Sequence, residues 1–165
     1  MITKLIDREL INKIRALIGE NHSTYLSDFQ IPSGYKKVVL FPTYDVYLNK
    51  KQYMALKSFL KQVNEDNFYA LNYYTILNDD SYCVLDDHNI IYQINRDTSY
   101  KEYTDLFLVE MSYIVSKNFD WFIVMEENRD AGAGFFVARD DLIELFQKNY
   151  PQYLLDLEAF NKYNK

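Results

Sequence analysis

Arg129, Gly132 and Gly134 stand in the spacing R-x-x-G-x-G, inside the stretch ENRDAGAGFFVARDDL that runs from Glu127 to Leu142. An arginine ahead of paired glycines suits a loop whose backbone amides cradle a phosphate, provided a helix begins directly behind it. His22 lies beside Glu20, Ser23 and Thr24, the residue types of a Ser–His–acid relay, but no G-x-S-x-G elbow accompanies them. Asp79, Asp80, Asp86, Asp87 and His88 crowd into NDDSYCVLDDHN. Hard cations take such oxygens, yet calcium-loop spacing is absent, and Asp and Asn gather at turns for backbone reasons. His22 and His88 are the only histidines, and with no Glu-x-x-His or His-x-His pair a zinc site is not expected. Cys83, the single cysteine, is flanked by apolar β-type residues and reads as a buried thiol. No catalytic residue, metal or cofactor is expected from these patterns.

The elements that must position these residues read as a single α+β domain over residues 1–165, a mostly antiparallel sheet packed against several helices. Asp7 caps a helix to Ile18, with Leu10, Ile11, Ile14, Leu17 and Ile18 at helical spacing and Gly19 ending it. Val38–Phe41 is a short strand that Pro42 interrupts, so it is an edge or ends there, with TYDVYL able to continue it after a kink. Asn49 opens a helix to about Val63, with its lysines toward water. Asn67–Leu77 reads as a strand, and YCVLDD and NIIYQI as two more in an antiparallel meander. Ser99 and Glu102 form a capping box that predicts a helix to about Lys117. Phe107–Val115 also alternates with period two, so helix and strand compete over 104–116. Phe119–Met125 and Phe135–Ala138 are strands, Asp140 or Asp141 caps a helix to Asn149, and Pro151 starts a final helix.

This frame decides the glycine loop. Its spacing is similar to the acyl-coenzyme-A loop of the GNAT acetyltransferases, which would imply an acyl-CoA- or small-molecule-binding enzyme. But FFVA, not a helix, follows Gly134, and Asp130 would repel a pyrophosphate. The remaining chain reads as two helices, without the further strands that fold needs. A loop between antiparallel strands fits better: Gly132 for a positive φ, Gly134 for room where Trp121 or another ring crosses the strand.

The stretch SYIVSKNFDWFIVMEENRDAGAGFFV, residues 112–138, resembles the C-terminal part of small acidic bacterial immunity-type proteins of toxin systems, through Trp121 and the downstream glycine pair. The resemblance implies a cytoplasmic protein that binds and blocks a toxin, and no catalytic residue.

Composition agrees with that implication. The net charge is −6, which argues against nucleic acid and suits a basic protein partner. Sixteen tyrosines supply amphipathic contact area. Tyr73, Asp79, Asp80, Tyr82, Asp86 and Asp87 are the expected partner-binding patch, acidic for steering and aromatic for anchoring. Tyr44, Asp45, Tyr47, Tyr69, Tyr74 and Tyr92 lie on the same tyrosine-rich segments. The single cysteine matches a reducing compartment. Residues 1–20 do not read as a signal peptide, and no run matches a membrane span. An adaptor or structural domain is the remaining alternative.

Overall fold

The computed structural model describes residues 2–19, 25–77, 90–127 and 131–164. Among these residues seven strands form one antiparallel sheet: β1 (Ile2–Leu5), β2 (Lys36–Thr43), β3 (Asn67–Asn72), β4 (Ile91–Asn95), β5 (Met111–Ser116), β6 (Trp121–Glu126) and β7 (Gly132–Ala138). Their spatial order is β1-β4-β3-β5-β6-β7-β2, so β1 and β2 are the edges. Six α-helices accompany them: α1 (Arg8–Ile18), α2 (Lys50–Gln62), α3 (Tyr73–Leu77), α4 (Tyr100–Thr104), α5 (Asp140–Asn149) and α6 (Tyr153–Tyr163). None is long and apolar enough to cross a membrane. This is the α+β architecture expected.

The sheet separates two cores, because alternate residues of each strand face opposite sides. On one side Tyr53, Leu56 and Phe59 of α2, Tyr103 of α4 and Phe146 of α5 pack on Phe68, Ile114, Trp121, Ile123 and Phe136. On the other, Leu10, Ile14 and Ile18 of α1 and Tyr73 and Ile76 around α3 pack on Leu71, Tyr113, Val115, Phe122 and Phe135, with Phe160 of α6 at the margin. Helices α1 and α2 begin as their sequences direct. Asp7 accepts the Leu10 amide, and Asn49 and Gln52 make a reciprocal capping box at α2.

Five expected elements are corrected. The Ser99–Glu102 box is present, but α4 stops at Thr104, and Met111–Ser116 is a strand. All six β5 residues are buried at the sheet centre. Both faces are covered, and the alternating Ser112 and Ser116 are buried because Val46 O and Glu65 accept from their hydroxyls, so the period-two reading of this segment is the one that holds. The strand expected over Asn67–Leu77 ends at Asn72, whose side chain accepts the Val109 amide and donates to Phe107 O, and the chain turns into α3. β2 runs through Pro42 to Thr43, with a bulge between Leu40 and Thr43, which an edge strand tolerates. Neither Asp140 nor Asp141 caps α5. Arg139 occupies that position, and Asp140 pairs with Lys36 at 2.9 Å instead. The last helix starts at Tyr153, after a turn at Pro151 and Gln152. The strand expected over Tyr82–Asp87 lies outside the described residues.

Candidate functional site

Strands β6 and β7 pair antiparallel, from Trp121 opposite Ala138 to Glu126 opposite Ala133. The connection between them is therefore that of a hairpin. Gly132 and Gly134 both belong to β7, and α5 begins only at Asp140. No helix start stands behind the glycines to gather amides toward a phosphate. Arg129 lies outside the described residues.

The reason for glycine differs from expectation. Positive φ among the glycines occurs at Gly19 and Gly34, not at Gly132. A Cβ on Gly132 would stand 2.3 Å from Asp45 O and from Thr43 Oγ1, so glycine there permits close approach of the bulged β2 end. A Cβ on Gly134 would meet Met125 Cγ at 2.8 Å and Val124 O at 2.9 Å. Trp121 does not cross there. It sits opposite Ala138, stacked on Phe136 and edge-on to Phe59.

The described tyrosines are largely spent inside. Tyr73 is 2 % exposed, so its ring is part of the core rather than of an outer patch. Tyr69 and Tyr92 are buried as well. Tyr53 and Tyr103 stack with centroids 4.8 Å apart, and Tyr53, Tyr100 and Tyr47 donate to the carbonyls of Thr98, Leu48 and Leu106. Burial pushes the Tyr53 and Tyr103 hydroxyls well above the ordinary value, fixing them as neutral donors. Tyr44 remains exposed beside Asp45 in a tight turn that pairs Tyr44 with Tyr47. Asp79, Asp80, Tyr82, Asp86 and Asp87 lie outside the described residues, as do His22, His88 and Cys83. Among the described residues no group of three or more His, Cys, Asp or Glu is placed to hold a metal ion.

Two buried carboxylates escaped the sequence reading. Glu65 accepts from Trp121 Nε1 at 2.7 Å and Ser116 Oγ at 2.6 Å, tying the end of α2 to the middle of the sheet. Asp156, on α6, accepts the Phe41 amide at 2.9 Å and the Tyr150 hydroxyl at 2.6 Å. Burial, then the Asp156 hydrogen bond, raises the Tyr150 hydroxyl above its ordinary value, so it too stays neutral. Both carboxylates are satisfied by neutral donors and read as structural ties.

The Asp156 tie gives α6 an inverted pattern. Its one buried residue is an aspartate, whereas Leu154, Leu155 and Leu157 are 60 %, 67 % and 41 % exposed. Phe160 holds the far end, edge-on to Phe41 and Phe135. The helix is thus fixed by an acid and an aromatic ring and offers leucines to solvent. Nothing in YLLDLEAF marks Asp156 as the inward residue. No family model matches the chain, and no curated protein or solved structure matches it.

Proposed function

We propose that this chain is a non-enzymatic protein-binding domain, of the inhibitor kind found in immunity and antitoxin pairs, and that α6 is its docking face. The observation that carries the reading is the inverted helix: three exposed leucines within four residues, on a helix anchored through Asp156 and Phe160. Isolated exposed apolar residues are ordinary, but a cluster on a fixed element marks a contact surface. Anchoring matters because a pre-ordered helix loses little further entropy when a partner covers it. The net charge of −6, with Asp79, Asp80, Asp86 and Asp87 contributing, favours a basic partner through faster, steered encounter. A cytoplasmic setting belongs to the same reading.

The test is co-expression of tagged protein with the products of adjacent genes, followed by affinity capture. A basic partner captured in equal amount, whose toxicity this chain suppresses, is the expected result. The double substitution Leu154→Asp and Leu157→Asp should abolish capture while leaving the circular dichroism spectrum intact. Capture that persists in that variant removes α6 from the interface. No partner among the neighbouring products removes the inhibitor reading itself.

A further inference from the structure

Helix α2 carries four lysines, Lys50, Lys51, Lys57 and Lys61, and no carboxylate, in a chain whose acids outnumber its bases 24 to 18. Among the described residues none of these lysines pairs with an acid, although five other ion pairs form elsewhere. Lys57 only leans over the Tyr53 ring, at 5.6 Å. Two of the four sit in the first turn, where the helix dipole makes positive charge unfavourable. Folding alone would place acids there, as it does at α5 with Asp140 and Asp141. A local rule broken without a structural return points to use.

The same face is shaped. Met54 is half exposed between the lysines and lines two grooves. One, of about 500 Å³, runs between the first half of α2 and the 149–152 turn, lined by Lys50, Lys51, Met54, Asn149, Pro151 and Gln152. The other, of about 270 Å³, lies among Met54, Lys57, Lys61, Arg96 and Asp97. Asp97 is the one carboxylate on either lining, and Arg96 leans toward Asp66 at 3.7 Å. Lys50 to Lys61 spans about 16 Å of helix. Charges elsewhere on the molecule are screened over about 8 Å in physiological salt, so this face stays positive despite the negative total.

We infer that the outer face of α2 binds an acidic segment of a second protein, with its carboxylates on Lys50, Lys51, Lys57 and Lys61 and an apolar side chain on Met54. The inference goes beyond the α6 reading and does not depend on it. Charge complementarity selects the acid, and the flexible thioether of Met54 suits an apolar neighbour. Nucleic acid fits less well: the one aromatic residue on either lining, Tyr150, is buried and leaves bases no open ring to stack on. A membrane surface needs a broad apolar face, and here Met54 stands among lysines.

The experiment titrates a short fluorescein-labelled peptide of aspartates and glutamates with one central leucine, and reads anisotropy. Binding should weaken steeply with added salt, and Lys50→Glu with Lys51→Glu should reduce it about tenfold or more. The same pair should raise the melting midpoint, because it restores acids to the first turn of α2. Loss of binding with gain of stability is a signature that damage to the fold cannot produce. Met54→Ser, or a peptide without its leucine, should weaken binding less. Leu154→Asp with Leu157→Asp should leave it unchanged, which separates this face from α6. Absence of peptide binding, binding indifferent to the lysine reversals, or equal binding of a single-stranded oligonucleotide of the same charge would each overturn the inference.

Discussion

The two edges of the sheet are closed in different ways. Edge strands present unpaired backbone groups that invite another chain. At β1 the strand is only four residues long, with Thr3 and Lys4 exposed, which leaves little to pair with. At β2 the strand has eight residues, and protection is built: Pro42 lacks an N–H, a bulge breaks the register, and α6 lies alongside with Asp156 taking the Phe41 amide. The contrast explains the inverted helix. The residue that α6 turns inward had to be an acceptor for an edge amide, so its leucines were left to face outward. Closing an edge and presenting an apolar face are then one device.

The largest effect is expected at the built edge. Gly132→Ala drives a methyl into Asp45 O and Thr43 Oγ1 at the β7–β2 seam and should cost about 3 kcal/mol in urea unfolding. An unchanged midpoint would mean that the bulged end of β2 is not held as described. Asp156→Ala leaves the Phe41 amide and the Tyr150 hydroxyl without their acceptor and should cost about 2 kcal/mol. Hydrogen exchange at Phe41 should accelerate, and light scattering should show association through the opened edge. Asp156→Asn, which keeps an acceptor oxygen, should recover part of the loss.

Alkaline pH tests the same tie without mutation. The Tyr150 hydroxyl is raised in the folded state, first by burial and then by Asp156. The stability from keeping it neutral is complete below the unfolded value near 10 and is lost as pH climbs from there through the folded value. Melting midpoints should therefore fall above about pH 10, with a shallower fall in Tyr150→Phe. A partial effect is expected because Tyr53, Tyr103 and Tyr113 are raised by burial too. The smallest effect belongs to the short edge. Lys4→Val should change unfolding by no more than about 0.5 kcal/mol, yet promote self-association measured by sedimentation, because it removes the charge that guards β1.

Much of the scaffold was legible because local chemistry and final structure agree. Asp7 and Asn49 cap the helices they precede, and Pro42 marks an edge. The antiparallel pairing of β6 with β7 follows from two β-prone runs flanking a polar link. What was hidden depended on distant partners. β5 is central and its two serines are buried through bonds to Val46 O and Glu65, partners that the local sequence does not show, so a capping box just upstream outweighed its alternation. α3 forms where Asn72 turns aside to bond the 107–109 segment, and Arg15 of α1 donates to Ile76 O. Glu65 finds donors at Ser116 and Trp121, 51 and 56 residues away, and Asp156 takes the Phe41 amide, 115 residues away, beside its local Tyr150 bond. The candidate site was less legible than the fold. Tyr73 looked like a surface anchor and is a core ring, while the exposed leucines of α6 were not singled out at all.

Trp121 gives the molecule an optical consequence. It is the only tryptophan, fully buried between Phe59 and Phe136, with its indole N–H held by Glu65. Sixteen tyrosines in the same chain can pass excitation to it. Its emission belongs to the sheet interior, sheltered from water, and moves to longer wavelength only when that interior opens. A single built-in chromophore therefore reads the integrity of the scaffold while staying dark to events on the outer faces of α2 and α6, so that binding and unfolding can be followed in one cuvette as separate signals.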